Sequence, residues 1–468
     1  VIHKTIAELA ALCGGQLAAE NKDAGGASFT GVSKDTRTLS PGQLYVPLVG
    51  EQYDGHNYAG LAREKGAAAA LWQADRERPA ELEGWPLVLV EDTLAALQRL
   101  AAAYRKELPV KIIGITGSNG KTTTKDMVAA ALATVFRVHK TAGNLNNHIG
   151  LPMTVLEMDA TVEAAVLEMG MSGYGEIQLL SEIATPDVAV ITNIGDAHMQ
   201  QLGSREGIAR AKLEIAAGLR PGGLLVLNGD EPLLGPEAVT LPEGVQVLRF
   251  GQQPHNDWIM EPQQMDASTS QLCLRGPGDT ELQLTVPAAG VHNMMNAAAA
   301  AAIAMALGVP AEQIAAGLAG LQLSAMRIER SEAFNGAIVL NDAFNANPTA
   351  MRAAVDLVEQ LQGYSRRWLV LGDMLELGEQ EAEMHREVGR YITPAKAERV
   401  LTFGRLGAYI AEGAAQTFGD AAEAVRAFDT KQALIEWLRA RLAPEDLVLV
   451  KGSRGTRMEE IVQAIQHR

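Results

Sequence analysis

The sequence predicts an α/β protein made of three successive units, and three observations carry that reading. Short β-branched runs alternate with helical stretches along most of the chain. In the middle of the chain those runs are almost continuously apolar, as strands buried on both faces must be. Toward the carboxyl terminus, each run is followed by glycine or polar residues, at the end where open α/β sheets bind ligands. A chain of 468 residues is also too long for one ordinary domain.

The first unit spans 1–108. TIAELAALCG reads as a short amphipathic helix, LYVPLVG as a strand, YAGLAREKGAAAAL as a helix and PLVLV as a strand. TLAALQRLAAAYRKEL is a long helix that must stop ahead of Pro109, because the residue before a proline resists helix. In the second unit, 109–321, KIIGITG, VFRVHKT, AAVLEMG, VAVITNIG, GLLVLNG and VQVLRFG read as strands with helices between. That alternation implies right-handed crossovers and a mostly parallel sheet. TELQLTV alternates in polarity instead and reads as an antiparallel edge, and NMMNAAAAAAIAMALG as a helix whose small side chains allow close packing. The third unit, 322–468, repeats the pattern with AIVLNDAF, RRWLVLGDM, ERVLTFG and DLVLVKGS as strands.

Composition excludes several functions. The formal net charge of −16 argues against non-specific nucleic-acid binding, which needs a basic face, but leaves room for an anionic small substrate. Cys13 and Cys273 fit no metal or redox spacing and suit a reducing compartment. No stretch approaches the ~18 uninterrupted apolar residues of a membrane span, and VIHKTIAELAAL lacks a signal core. A cytoplasmic monomer without nucleic-acid partners is the expectation.

The chemistry starts at GITGSNGKTTTK, residues 114–125. The phosphate-loop spelling G-x-x-x-x-G-K-[ST] fails at its first position, where Ile115 stands; the glycine is at Gly114. The context is nevertheless correct, a strand before and a helix after. Gly117 and Gly120 let the backbone turn, so that N–H groups around Ser118, Asn119 and Thr123 can face phosphate oxygens. Lys121 would sit between terminal phosphates, and the Thr122 hydroxyl would face Mg²⁺. The bland alternative is a glycine turn between strand and helix.

The spelling T-G-[ST]-N-G-K-T-T resembles the Mur ligase family, which also includes the folylpolyglutamate synthetases. The resemblance implies an ATP-dependent amide ligase with a small α/β substrate domain, a central parallel-sheet P-loop ATPase domain and a C-terminal Rossmann-like domain. Glu168, at a strand end in AAVLEMGMSG, matches a Mg²⁺ ligand of the family; by itself it reads as a capping or ion-paired residue. His198 in NIGDAHMQ matches the histidine of a second Mg²⁺, and Asn193 would line the same cleft; a lone histidine is otherwise structural. Lys212 in ARAKLEI reads as an ordinary exposed helical lysine, but matches a family lysine that is often carbamylated into a carboxylate-like metal ligand. His292, Asn293 and Asn296 in VHNMMN match a stretch near the adenine, although an Asn-capped helix start explains them nearly as well. Arg327 occupies the interdomain arginine position, with Met326 where the family usually writes glycine.

NDAFNANPTAM resembles a signature of the family branch that adds D-alanyl-D-alanine. It places Asp342, Asn345 and Asn347 near ribose, phosphate and the domain closure. LGDMLELG and KGSRGTRME, around Asp373, Glu376, Lys451 and Gly452, match the same branch. Ser33, Asp35, Thr36 and Arg37, with Asp54 and His56, match its uridine-nucleotide-binding stretch, and by themselves read as turn-like polar clusters. GNLNNHIGLP holds Asn144, Asn146 and Asn147, which suit sugar or peptide amides; in the family this stretch faces the muramyl-peptide. The resemblance thus implies ATP, two Mg²⁺ ions and the substrates UDP-N-acetylmuramoyl-tripeptide and D-alanyl-D-alanine, joined through an acyl phosphate. Rival readings are a ligase of the same fold that adds a single amino acid, and a P-loop kinase or ATPase.

Overall fold

The computed structural model describes residues 1–18, 24–197, 199–235, 241–419 and 423–467. The first helix, Ile6–Cys13, forms where the sequence supplies both ends. Thr5 and Glu8 make a reciprocal capping box, and Gly14 closes the last turn in the left-handed conformation. A five-stranded sheet follows, in the order Gln16–Leu17, Leu87–Val90, Ala69–Gln73, Leu44–Tyr45, Val32–Ser33.

Two stretches of this unit depart from expectation. LYVPLVG contributes only Leu44–Tyr45 to the sheet; Pro47 has no N–H to continue the ladder. The helix expected over YAGLAREKGAAAAL divides in two. Helix Ala59–Glu64 ends, Gly66 turns at φ +86°, and Ala69–Gln73 is a buried strand. Burial between two parallel neighbours overrides the helical preference of the alanines.

The central sheet has nine strands in the order Thr280–Val286, Ser270–Gly276, Trp258–Met265, Gln246–Gly251, Leu224–Asn228, Val188–Ile191, Lys111–Thr116, Ala164–Glu168, Val138–Lys140. From Trp258–Met265 onward neighbours run parallel; the first two strands are antiparallel, with TELQLTV at the edge. Two of these strands escape a reading of sequence pattern. WIMEPQQM contains a proline and turns polar halfway, and SQLCLRG alternates only in part. Helix Val291–Ala306 buries an unbroken run of alanines against helix Lys121–Leu132 and the sheet.

The third unit is a six-stranded sheet in the order Glu329–Glu332, Ile338–Asp342, Leu447–Lys451, Arg367–Leu371, Arg399–Phe403, Val425–Phe428, parallel except for its first strand.

The two junctions between units differ in kind. Helix Thr93–Glu107 packs Leu97, Leu100 and Tyr104 into one apolar cluster with Leu151, Val155 and Leu180 of the central unit. Arg105, only 3% exposed, donates to the carbonyls of Ala184 (2.9 Å), Leu108 (3.2 Å) and Thr185 (3.4 Å). The third unit instead takes Ala267 and Ala289 of the central unit into its core, with Met265 packed against them, and adds polar contacts.

Arg105→Ala should therefore destabilise the first two units together, by about 3 kcal/mol, since it strands buried carbonyls and loses a buried cation. Urea melts followed separately at Trp72 and Trp258, in single-tryptophan variants, should coincide and shift together.

Candidate active site

Strand Lys111–Thr116 lies between Ala164–Glu168 and Val188–Ile191. The winding of the sheet reverses there, so a crevice opens beyond the carboxyl ends of these strands. Gly117 opens the first loop with φ +150°, and a Cβ on it would lie 1.8 Å from Thr192 Oγ1. Gly120 has φ +78°, and its Cβ would come within 2.7 Å of Asn296 Oδ1. Both positions need glycine for backbone angle and for close approach. Gly114 differs: it sits inside the strand, where a Cβ would meet Met169 at 2.9 Å. It is a packing residue, and the turn begins at Gly117.

The neighbouring loop holds this turn open. Ser118 N donates to Asn193 O (3.1 Å) and Asn119 N to Asn193 Oδ1 (2.9 Å). Thr192 Oγ1 and Asn193 Nδ2 both donate to Asn119 O, at 2.6 and 3.0 Å. Helix Lys121–Leu132 then begins with no side chain capping its amides, which leaves its positive end for an anion.

Lys121 Nζ donates to Gly117 O (2.9 Å). Burial pushes its pKa below the ordinary lysine value; Glu168 opposes that shift and Arg327 adds to it. Thr122 Oγ1 donates to Glu168 Oε2 (3.0 Å) and accepts from Arg327 Nη2 (2.9 Å). Asn146 Nδ2 donates to Glu168 Oε1 (2.9 Å), so this asparagine belongs to the carboxylate's surroundings. The Arg327 guanidinium stacks on the Phe344 ring at 4.1 Å. Arg327 Nε and Ser118 Oγ are buried with no hydrogen-bond partner, and both residues line a cavity of about 370 Å³. The rest of the lining includes Lys121, Thr122, Thr123 and Glu168 from the central unit, and Asp342, Asn345 and Lys451 from the third.

Two expectations change here. Lys212 is no exposed helical lysine: it is 2% exposed on helix Arg205–Leu213. Burial drives its pKa well below the ordinary value, and the nearby Lys121 charge adds to that. The asparagines of VHNMMN are not caps either. Their helix starts after Gly290 with no side-chain cap, and Asn293 and Asn296 line the cavity, bonded to Ala289 O (2.8 Å) and to each other (3.4 Å). His292 lines the cavity too, and burial lowers its pKa. His198 lies outside the described residues.

The third unit meets the loop directly. Asn347 Oδ1 caps helix Pro348–Gln360 through Ala350 N (2.9 Å), while Asn347 Nδ2 donates to Asn119 Oδ1 (2.7 Å). Thr349 Oγ1 donates to Asp196 Oδ2 (2.7 Å). Lys451 Nζ donates to Asp342 Oδ2 (2.6 Å) and Asn345 O (2.9 Å), which ties the turn after the strand to the sheet. Asp373 accepts from Leu406 N and Gly407 N, at 3.1 and 2.7 Å, and so holds a neighbouring turn.

The remaining substrate candidates do not line this cavity. Asn147 Oδ1 caps the backbone at Ile149 and Gly150, and Asn144 is exposed. Ser33 Oγ donates to Asp35 O (3.0 Å), and hydrogen bonds from Arg37 hold the Asp35 carboxyl down at about 2. The carbonyl of buried Thr36 accepts from Lys65 Nζ (2.6 Å). Asp54 accepts from His56 N and Nδ1, pairs with Arg76, and thereby presses His56 edge-on against Trp72. Thr192 and Asn228, which also line the cavity, are missed by sequence reasoning. Their signal was present: a polar residue at, or just past, the carboxyl end of a buried strand.

Gly117→Ala should weaken ADP binding by roughly tenfold to a hundredfold, the equivalent of 1–3 kcal/mol of local strain. Isothermal titration checks this, with far-UV circular dichroism unchanged.

Matches to known proteins run along the whole chain. Residues 28–105 match the model described as Mur ligase family, catalytic domain, residues 115–304 the Mur ligase middle domain, and residues 326–454 the Mur ligase, glutamate ligase domain. The UDP-N-acetylmuramoyl-tripeptide–D-alanyl-D-alanine ligase of Bacillus subtilis is 48% identical over 99% of this chain and 98% of its own length. The ligase of that name from Escherichia coli is 36% identical over 100% and 99%. Among solved structures, MurF from Acinetobacter baumannii superposes with a TM-score of 0.89 at 31% identity, covering 100% of this chain and 99% of that one. MurF ligase from Thermotoga maritima in complex with ADP gives 0.82 at 26% identity, over 93% and 97%. The chain belongs to the Mur ligase family.

Proposed function

We propose that this protein is an ATP-dependent amide ligase that joins D-alanyl-D-alanine to UDP-N-acetylmuramoyl-tripeptide, releasing ADP and phosphate. One observation carries the reading: the turn at 117–123 and the third unit line a single cavity, so a nucleotide there is gripped from both sides. The end-to-end likeness to ligases of that name supports the choice of substrates.

Amide formation in water is uphill, so the tripeptide's terminal carboxylate must be activated. One carboxylate oxygen attacks the γ-phosphorus, the bond to the bridging oxygen breaks, and ADP leaves. The dipeptide's amine then attacks the acyl carbon, loses a proton, and phosphate departs. This demands positioning and charge neutralisation more than covalent help from the protein. Lys121 and Arg327 offset charge on the phosphoryl oxygens, and Ser118 Oγ and Arg327 Nε find there the partners they lack. Asn293, Asn296, Asp342, Asn345 and Asn347 hold the adenosine side and the closed third unit. Closure keeps water from the acyl phosphate.

The Thr122 hydroxyl and Glu168 carboxylate are hard oxygen donors already in contact at 3.0 Å, which fits Mg²⁺, an ion that keeps waters and phosphate oxygens as its other ligands. When bound, the ion supplies positive charge beside the β- and γ-phosphates. His198 and a carbamylated Lys212 are the proposed ligands of a second ion. Lys212 fits that role: the charge acting on it is the Lys121 cation, not a carboxylate, and its depressed pKa favours the neutral amine. That amine forms an N–C bond with carbon dioxide, releases a proton, and ends as a carbamate anion facing Lys121 instead of a second cation. Ser33, Asp35, Thr36, Arg37, Asp54 and His56, with Asn144, Asn146 and Asn147, form the proposed surroundings of the UDP-muramoyl-peptide. Among the described residues no helix is long and apolar enough to cross a membrane. Separately, we place the enzyme in the cytoplasm, where ATP is supplied, as a monomer.

Phosphate release in the presence of UDP-muramoyl-tripeptide should rise with D-alanyl-D-alanine and not with glutamate; stimulation by glutamate alone would assign the chain to single-amino-acid addition. Lys121→Ala should lower kcat by at least about a hundredfold, the scale of losing one charged transition-state donor. Stripping carbon dioxide should lower kcat and bicarbonate should restore it. Native mass spectrometry should show the wild type, but not Lys212→Ala, heavier by one carbon dioxide.

A further inference from the structure

Helix Lys121–Leu132 also carries two buried ionisable groups that the reaction does not use, Lys125 and Asp126. Asp126 is 1% exposed. Its Oδ1 accepts from Lys140 Nζ (2.8 Å), with Lys125 Nζ at 3.6 Å. Its Oδ2 accepts from Ser324 N (3.2 Å) and Ser324 Oγ (2.7 Å). Burial alone would raise this carboxyl, but the bonds from Lys140 and Ser324 keep it below its ordinary value and ionised. Ser324 lies in the segment that leads into the third unit, three residues before Arg327.

Asp126 stands four residues after Thr122, hence one turn further along the same helix face. The linker is thus fastened twice to that face: Ser324 at Asp126 and Arg327 at Thr122. One helical turn rises about 5.4 Å, whereas three extended residues would span about 10 Å. Between the two fastenings the chain turns back through left-handed backbone at Met326 (φ 60°), which takes up part of that excess. A methionine in that region is uncommon and is held there by its surroundings. The two fastenings are what enforces it, together with Met326 N donating to Glu329 Oε2 (3.1 Å).

We propose that Asp126 and Ser324 are positioning residues that set the reach of Arg327, so that its guanidinium meets the terminal phosphate of the bound triphosphate. This rests on the proposed nucleotide site, and it adds a specific dependence: recognition of the third phosphate passes through a serine that touches no ligand.

The test compares binding of ADP and of the non-hydrolysable adenylyl imidodiphosphate to the full-length protein, by calorimetry with Mg²⁺, for wild type, Ser324→Ala, Ser324→Thr, Arg327→Ala and the double variant. Ser324→Ala should cost the triphosphate analogue about tenfold in affinity, the scale of one hydrogen bond to a charged group, and leave ADP within about twofold. Ser324→Thr, which keeps the hydroxyl, should restore most of the loss. In the Arg327→Ala background, Ser324→Ala should change nothing further. An equal loss for both nucleotides, or the same tenfold loss with Arg327 already absent, would overturn the proposal. Failure of the wild type to bind either nucleotide would overturn the nucleotide site itself. Binding without amide formation would overturn only the ligase assignment.

Discussion

A single hydroxyl, that of Thr122, joins the parts of this protein that must act together. It donates to Glu168 at the end of one central strand and accepts from Arg327 at the entrance to the third unit. Its position depends on everything beneath it. Gly117 and Gly120 must turn the chain where Thr192 and Asn296 leave no room for a side chain. The helix must start without a capping residue, and the strand order must put Glu168 and Thr192 on either side of Thr116. A serine could supply the hydroxyl, but it is this arrangement of the backbone that holds it between a carboxylate and a guanidinium.

The two junctions between units suit different tasks. Burial of Leu97, Leu100 and Tyr104 against the central unit is apolar, and exposing it would cost roughly 25 cal/mol per Å². That junction stays shut. Beyond Ala267, Ala289 and Met265 at its core and the Ser324 bond to Asp126, the third unit touches the central unit through Asn119 with Asn347, Asp196 with Thr349, and Thr122 with Arg327. Water can replace each of these partners, so the net cost of parting them is about 1 kcal/mol apiece. An interface of that kind opens and closes readily, which a ligase needs if it admits a bulky substrate and then excludes water.

Much of the frame was legible in the sequence because it rests on local rules. The central strands from Lys111 to Gly251 announce themselves as buried β-branched runs, and Pro109 and Pro348 mark a helix end and a helix start. What stayed hidden depends on tertiary context. Ala69–Gln73 is spelled like a helix and becomes a strand through its neighbours. Gly114 looked like a displaced loop glycine and proves to be a contact for Met169. Lys212 has helical spacing but no spacing signal for its burial, and the Lys121 charge that acts on it is far away in sequence. The family resemblance supplied candidates where the residue pattern was mute. It grouped Asn146 with Asn144 and Asn147, although only Asn146 reaches Glu168.

The charges in the cavity argue for what must occupy it. Lys121 and Arg327, which line the cavity, and Lys212, buried near Lys121, all have pKa values lowered by burial; Glu168 opposes that shift at Lys121, and Glu168, Asp342 and Asp126 oppose it at Arg327. In a chain of net charge −16, that concentration of buried cations is no reflection of composition. Burying a cation without a partner is costly, and the cost falls only if negative charge arrives or the cation is neutralised. On the proposed reading, phosphate groups would bring that charge to Lys121 and Arg327, and carbamylation would convert Lys212 from a liability into an anion. A ligand that relieves this imbalance binds the closed arrangement better than the open one, and differential affinity of that kind is what shifts a conformational equilibrium. On the proposed reading, closure of the third unit would follow from the charge on the nucleotide, and Arg327, fastened through Ser324 to the helix that would hold the phosphates, would be the group through which that charge is felt.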